Sequence, residues 1–215
     1  MKAVIFDLDG VICFTDKLHY KAWKTVADEQ GIYFDEKIND RLRGVSRMAS
    51  LDIILERAGR AYSLDEKKEI AEKKNSIYVS LLDTMNENDL DDGVKEALDT
   101  LRERGTLLAI GSSSKNTKKI LEKLGLKDYF DAVSDGTNIT RSKPDPEVFL
   151  KAAQMLGVEP EDAIVVEDAL SGIDAALAGG FKCVGIGEAA THPQVTYSIK
   201  DMTELPEVVG GVFVS

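Results

Sequence analysis

A short apolar run, Ala3–Phe6, drives straight into two aspartates, Asp7 and Asp9, with Gly10 behind them. The run reads as a buried strand, so hydrophobic burial here holds negative charge at the edge of a sheet. In open α/β sheets, ligands bind at the carboxyl ends of the parallel strands. Two carboxylates in one exit turn can differ in environment. One then stays ionised as a nucleophile and metal ligand while the other carries a proton. The plain alternative is a strand followed by an acidic turn, Asp-Gly being a common turn dipeptide.

Four more strand-like runs follow, at Leu107–Gly111, Ala132–Ser134, Ala163–Val166 and Cys183–Ile186. Helical patterns alternate with them, at about Gly93–Arg104, Lys115–Leu124, Pro146–Leu156 and Ser171–Ala178. That order predicts an α/β fold with a Rossmann-like parallel-sheet core and crossover helices. Between the first two strands the signals are helical only: Asp16–Gln30, Asp35–Arg43, Ser50–Ala58 and Leu64–Leu82. Gly31 and Gly59 read as helix-ending residues. Parallel crossovers need only a dozen or more residues, so this segment is expected to be an inserted all-helical cap domain. Residues 15–83 form the cap in this reading, and 1–14 with 84–215 form the catalytic core.

Composition excludes some partners. A net charge of −11 over 215 residues argues against a nucleic-acid surface and an anionic membrane. An anionic substrate then needs a local basic cluster. No apolar run approaches the ~20 residues of a membrane span, and the N-terminus lacks a signal-peptide layout. Cys13 and Cys183 form no metal-spacing motif, and two free thiols are expected of a reduced cytoplasm.

Three later segments repeat the chemistry of the first. Ser112-Ser113-Ser114-Lys115-Asn116 follows a strand and opens a helix, an anion site or a serine-rich N-cap. Lys143 precedes a proline-started helix, where its ammonium is either a fixed point charge for phosphate or a solvated loop lysine. The strand from Ala163 ends in Glu167 and Asp168. With Asp7 these supply hard oxygen donors that suit octahedral Mg²⁺ completed by water and phosphate.

Together, the DLDG run, the Ser112 strand end, the Lys143-Pro144 loop and Glu167-Asp168 resemble the haloacid dehalogenase superfamily of phosphotransferases along essentially the whole chain. The resemblance implies Asp7 as nucleophile and Asp9 as general acid and base, with the Asp9 main-chain carbonyl on the metal. Asp168 becomes the second carboxylate ligand, and Glu167 acts directly or through water. Ser112 and Lys143 then hold the transferring phosphoryl group. Within the cap, His19-Tyr-Lys-Ala-Trp23, Arg43-Gly-Val-Ser-Arg47 followed by Ser50-Leu51, and Lys74-Asn75 are similar to the β-phosphoglucomutase family. That likeness implies that Arg47 grips a distal phosphate with Ser114, Lys115 and Asn116. Gly44, Val45, Ser50 and Lys74 would face the sugar, His19 would steady the acid/base region, and Thr15 would contact Asp9. Trp23 reads as core packing.

Two positions depart from the family pattern: Phe14 stands where a small polar or acidic residue is usual, and Ala169 where serine is common. The expected activity is Mg²⁺-dependent interconversion of β-D-glucose 1-phosphate and glucose 6-phosphate by a monomer primed by a sugar bisphosphate. A sugar-phosphate phosphatase using the same residues is the runner-up. A receiver-type signalling domain would need no helical lid, and a silent sugar-phosphate binder would not need the reactive groups.

Overall fold

The computed structural model describes residues 3–42 and 45–213. Six parallel strands form one sheet in the order β3-β2-β1-β4-β5-β6. They are β1 (Ala3–Phe6), β2 (Leu107–Gly111), β3 (Ala132–Ser134), β4 (Ala163–Glu167), β5 (Lys182–Gly185) and β6 (Tyr197–Ser198). Side chains alternate across a strand, and both faces of this sheet are covered. Val4, Phe6, Leu108, Ile110, Ile164 and Val166 pack on α5 (Asp92–Glu103), α6 (Thr117–Lys123) and α9 (Leu205–Phe213). Ala3, Ile5, Ala109 and Val165 face α7 (Glu147–Leu156) and α8 (Leu170–Ala178). Burial on both faces is what the near-continuous apolar runs demand.

Four helices separate β1 from α5: α1 (Asp16–Glu29), α2 (Glu36–Asp40), α3 (Arg47–Leu55) and α4 (Leu64–Leu82). They enclose their own apolar cluster, built from Trp23, Val26, Phe34, Ile38, Leu51, Ile54 and Ile70. Ala22, midway along α1, and Tyr78 and Leu82, in the last turns of α4, instead join the core under the sheet. The start of α4 is fixed by a capping box: Ser63 Oγ accepts from the Glu66 amide at 3.2 Å, and Glu66 returns an acceptor to the Ser63 amide at 2.8 Å.

Several boundaries differ from the sequence expectation. Helix α3 begins at Arg47 rather than Ser50, because the Ser46 hydroxyl caps it by accepting from the Ala49 amide at 3.3 Å. It also stops at Leu55, well short of Gly59. Helix α2 ends at Asp40, and the expected end at Arg43 lies outside the described residues, as does Gly44. Helix α6 starts only at Thr117, since Ser112–Asn116 form turns closed by their own side chains. Strand β6 and helix α9 were not anticipated: one is two residues long, and the other carries Pro206, Gly210 and Gly211, all poor helix formers. Among the described residues no helix is long and apolar enough to cross a membrane.

Candidate active site

The sheet order reverses at β1, whose neighbours are β2 and β4, and such a switch point opens a crevice at the strand ends. Register does the rest. Phe6 pairs with Val166, so the next residues, Asp7 and Glu167, emerge side by side. The Asp7 amide still donates to the Val166 carbonyl, at 2.9 Å. Lys143 reaches in from the β3–α7 connection, and its Nζ donates to both Asp7 Oδ1 and Glu167 Oε1. Glu167 Oε2 accepts from the Ala169 amide at 2.9 Å.

Glycines make the room. A Cβ on Gly10, whose φ is +84°, would lie 2.1 Å from Asp168 Oδ2, and one on Gly172 would lie 1.9 Å from the Glu167 carboxyl carbon. No L-residue with a side chain fits either place without displacing a carboxylate.

One ammonium therefore faces three carboxylates. Asp7, Glu167 and Asp168 present oxygens within 4.8 Å of one another. Burial, reinforced by Glu167 and Asp168 and opposed by Lys143, pushes the Asp7 carboxyl well above its ordinary range. Burial and the Glu167 charge push Asp168 up to about 7. Burial acts against the Lys143 ammonium, yet Asp7 and Glu167 more than offset it and hold it above its ordinary value. A set of crowded, desolvated hard-oxygen donors with one cation among them fits a divalent metal ion, which would remove the repulsion.

Asp9 sits beside this cluster in a different setting. Thr15 Oγ1 donates to Asp9 Oδ1, and Tyr78 Oη lies 2.9 Å from the same threonine oxygen. With the threonine proton committed to an ionised Asp9, the Tyr78 hydroxyl is the donor in that second bond. Burial raises the Asp9 carboxyl, and Thr15 moderates the rise.

His19 stacks on Tyr78 with ring centroids 4.0 Å apart. Its Nδ1 lies 2.7 Å from Lys74 Nζ. Lys74 is 2% exposed and also lies against the Trp23 and Tyr78 rings. Burial and the Arg47 charge bring its ammonium down to about 7. His19 is lowered well below its usual value by burial first, then by Lys74 and Arg47, so its Nδ1 accepts from the lysine.

A second polar centre lies across the same cleft. Arg47, at the start of α3, donates from Nη2 to Asn75 Oδ1 at 2.7 Å, and Asn116 Nδ2 donates to that same oxygen at 3.0 Å. Cap helices and core loop thus meet at one acceptor. The cleft, of about 1060 Å³, is lined from the core by Asp7, Asp9, Ser112, Ser114, Lys115, Asn116, Lys143, Glu167 and Asp168. Its cap wall includes His19, Val45, Arg47, Ser50, Lys74 and Asn75. Every candidate from the sequence therefore falls on this cleft or, like Thr15, bonds to a residue that does, apart from Gly44 outside the described residues.

The serine loop is less open than free helix amides would be. The Ser114 and Asn116 amides are bound to the Ser112 and Ser114 hydroxyls, each at 3.2 Å. Asn75 stands within a motif of the sequence reading but is given no role there, and Tyr78 escaped it. The available signal was spacing: Lys74, Asn75 and Tyr78 lie within four positions of one another on a helix. Phe14 is 68% exposed on the cleft rim, and Ala169 gives its amide to Glu167.

Known proteins resemble this chain in sequence and in fold. Residues 1–180 match the model of the haloacid dehalogenase-like hydrolases. The β-phosphoglucomutase of Bacillus subtilis is 43% identical over 190 residues, 87% of this chain and 84% of that protein. The phosphorylated carbohydrates phosphatase of Thermotoga maritima is 35% identical over 185 residues, covering 85% and 83%. The crystal structure of β-phosphoglucomutase from Clostridium difficile superposes with a TM-score of 0.92 at 37% identity, covering 100% of this chain and 97% of that one. The chain belongs to the haloacid dehalogenase-like hydrolases, as a β-phosphoglucomutase-like member.

Proposed function

We propose that the chain is a phosphomutase that interconverts β-D-glucose 1-phosphate and glucose 6-phosphate, with Mg²⁺ as cofactor and β-glucose 1,6-bisphosphate as intermediate and primer. The observation that carries this reading is the pair of polar centres on one cleft: the Asp7–Lys143 cluster and the Arg47–Asn75–Asn116 junction. A bisphosphate has two ends to hold, and a cleft with one phosphate seat would not serve a mutase. The name of the 43% identical Bacillus subtilis relative supports it.

In this mechanism Asp7 attacks phosphorus, its carboxylate oxygen gains the phosphoryl group, and the donor oxygen leaves. In the return half, the free sugar hydroxyl attacks phospho-Asp7. The P–O(Asp7) bond breaks, and the hydroxyl proton passes to Asp9. The raised Asp9 carboxyl suits both taking and returning that proton. Lys143 and Ser112 hold the transferring oxygens, and Arg47, Ser114, Lys115 and Asn116 hold the other phosphate. Asp7, Asp168 and the Asp9 carbonyl, with Glu167 directly or through water, would hold Mg²⁺, which would supply charge neutralisation between the two anions. Residues 15–83 act as the cap that excludes water from phospho-Asp7, over a core of 1–14 and 84–215. All the groups invoked come from one chain, so a monomer suffices, and the cytoplasm keeps buried Cys13 and Cys183 as thiols.

A sugar-phosphate phosphatase is the second reading. The Thermotoga maritima relative, named as a phosphatase, favours it. The test is a coupled assay with β-glucose 1-phosphate, Mg²⁺ and a catalytic amount of bisphosphate. Glucose 6-phosphate without matching free phosphate is the mutase result; stoichiometric phosphate release overturns it in favour of the phosphatase.

A further inference from the structure

Asn75 has no part in the chemistry above, yet it sits where the cap and core polar groups converge. Its Oδ1 accepts from Arg47 Nη2 at 2.7 Å and from Asn116 Nδ2 at 3.0 Å. A guanidinium can only donate, which fixes the amide with its oxygen toward Arg47 and thereby makes Asn116 the second donor. Arg47 belongs to α3, Asn75 to the middle of α4, and Asn116 to the loop before α6. All three line the cleft and are half-buried.

Two donors from separate elements, aimed at one oxygen, form the geometry that an oxygen of a phosphate would also satisfy. We infer that Asn75 is a positioning residue whose amide oxygen stands in for an oxygen of the distal phosphate, aligning Arg47 and Asn116 in the empty site and yielding them to the substrate. The inference rests on the proposed two-phosphate reading of the cleft.

Physical reasons favour a neutral amide for this task. A long arginine side chain loses several rotatable freedoms when fixed, and an acceptor in the empty site makes that loss before the substrate arrives. The acceptor must also be weaker than its replacement. Bonds to an anion are about twice as strong as neutral ones, so phosphate displaces an amide oxygen where it could not readily displace a carboxylate. An aspartate at position 75 would hold Arg47 just as closely but would compete with the phosphate and repel it.

The experiment uses Asn75→Leu and Asn75→Asp in the full chain. Trp23, the one tryptophan of the sequence, lines the same cleft and reports binding by fluorescence. Apparent Kd for β-glucose 1,6-bisphosphate is taken from rapid mixing in magnesium buffer. Asp7 phosphorylation by acetyl phosphate, which engages only the core centre, is the reference.

Relative to that reference, Asn75→Leu is expected to raise the bisphosphate Kd about tenfold, the loss expected for one long side chain left unordered. Asn75→Asp is expected to raise it further, on the order of a hundredfold. In isomerisation assays both variants should show a larger change in KM than in kcat. A scaffold role predicts the reverse order, because Asp preserves the acceptor and nearly the shape. Wild-type-like binding by Asn75→Asp, or no Kd change in Asn75→Leu, overturns the inference. If the native chain binds bisphosphate with this Asn75 dependence but does not isomerise the sugar phosphate, the mutase reading fails and the placement of Asn75 stands.

Discussion

Arg47→Ala separates a mutase from a phosphatase, and its effect can be worked out from local geometry. Arg47 is the first residue of α3, with Ser46 as N-cap. A cation there opposes the helix dipole by about 0.3–1 kcal/mol, and alanine is a better helix former. Its guanidinium donates a hydrogen bond to Asn75, in a half-buried setting. A net hydrogen bond contributes about 0.5–1.5 kcal/mol, so the two effects nearly cancel, and Tm should move by less than about 3 °C. Fold stability thus gives no reason for arginine at this position.

Binding gives one. A charge-assisted arginine–phosphate contact contributes roughly 1.5–3 kcal/mol. Burial lowers the Arg47 pKa, so this charge is partly desolvated and less screened than a surface arginine. Asn116 and Lys115 remain to share the load, which places the loss at about 2 kcal/mol, or about thirtyfold. The assay runs sugar-phosphate isomerisation beside hydrolysis of a small phosphate ester with no second anion. Isomerisation should fall at least tenfold more than ester hydrolysis, and phospho-Asp7 should lose its phosphate to water in a larger share of turnovers. Equal losses in both reactions, or intact isomerisation, would refute the reasoning and put the phosphatase reading first.

Asp7→Asn should abolish covalent labelling by acyl phosphates, read by mass spectrometry, because an amide is no phosphoryl acceptor. Asp9→Asn should still be labelled from a good leaving group while transfer to the sugar hydroxyl stops; near-normal isomerisation would remove its acid/base role. Lys143→Ala leaves three crowded carboxylates without their ammonium and should lower turnover by on the order of 10², with an unchanged rate arguing against any role in charge neutralisation.

Lys74→Met tests the buried ammonium through stability. Its folded pKa of about 7 lies below the ordinary lysine value of 10.5, so the unfolded chain holds more protons between those limits. Native stability therefore falls as pH drops from about 10 to 7 by at most about 1.4 kcal/mol per pH unit. The methionine variant lacks this slope, so its stability relative to wild type should grow over that window in urea melts. A gap independent of pH would mean that Lys74 titrates normally.

The sequence alone determined the strand ends. Apolar runs closing on Asp7, Gly111-Ser112 and Glu167 can be buried only as central strands, and parallel register then delivers those residues to one edge. The helical insert was legible because crossovers of that length are not needed to connect neighbouring strands. Local pattern could not place what depends on distant segments. Asn75 lies 28 residues beyond Arg47 and 41 before Asn116, and their convergence on one oxygen follows from how α3, α4 and the serine loop pack. Tyr78 reaches Thr15 across 63 residues for the same reason. The fold also decided the surroundings of each carboxyl. Asp7 and Asp9 stand two positions apart in sequence, yet one faces Lys143 beside two carboxylates and the other faces a threonine backed by a tyrosine. That difference in surroundings, which only tertiary packing creates, decides which neighbouring charges and donors act on each buried carboxyl.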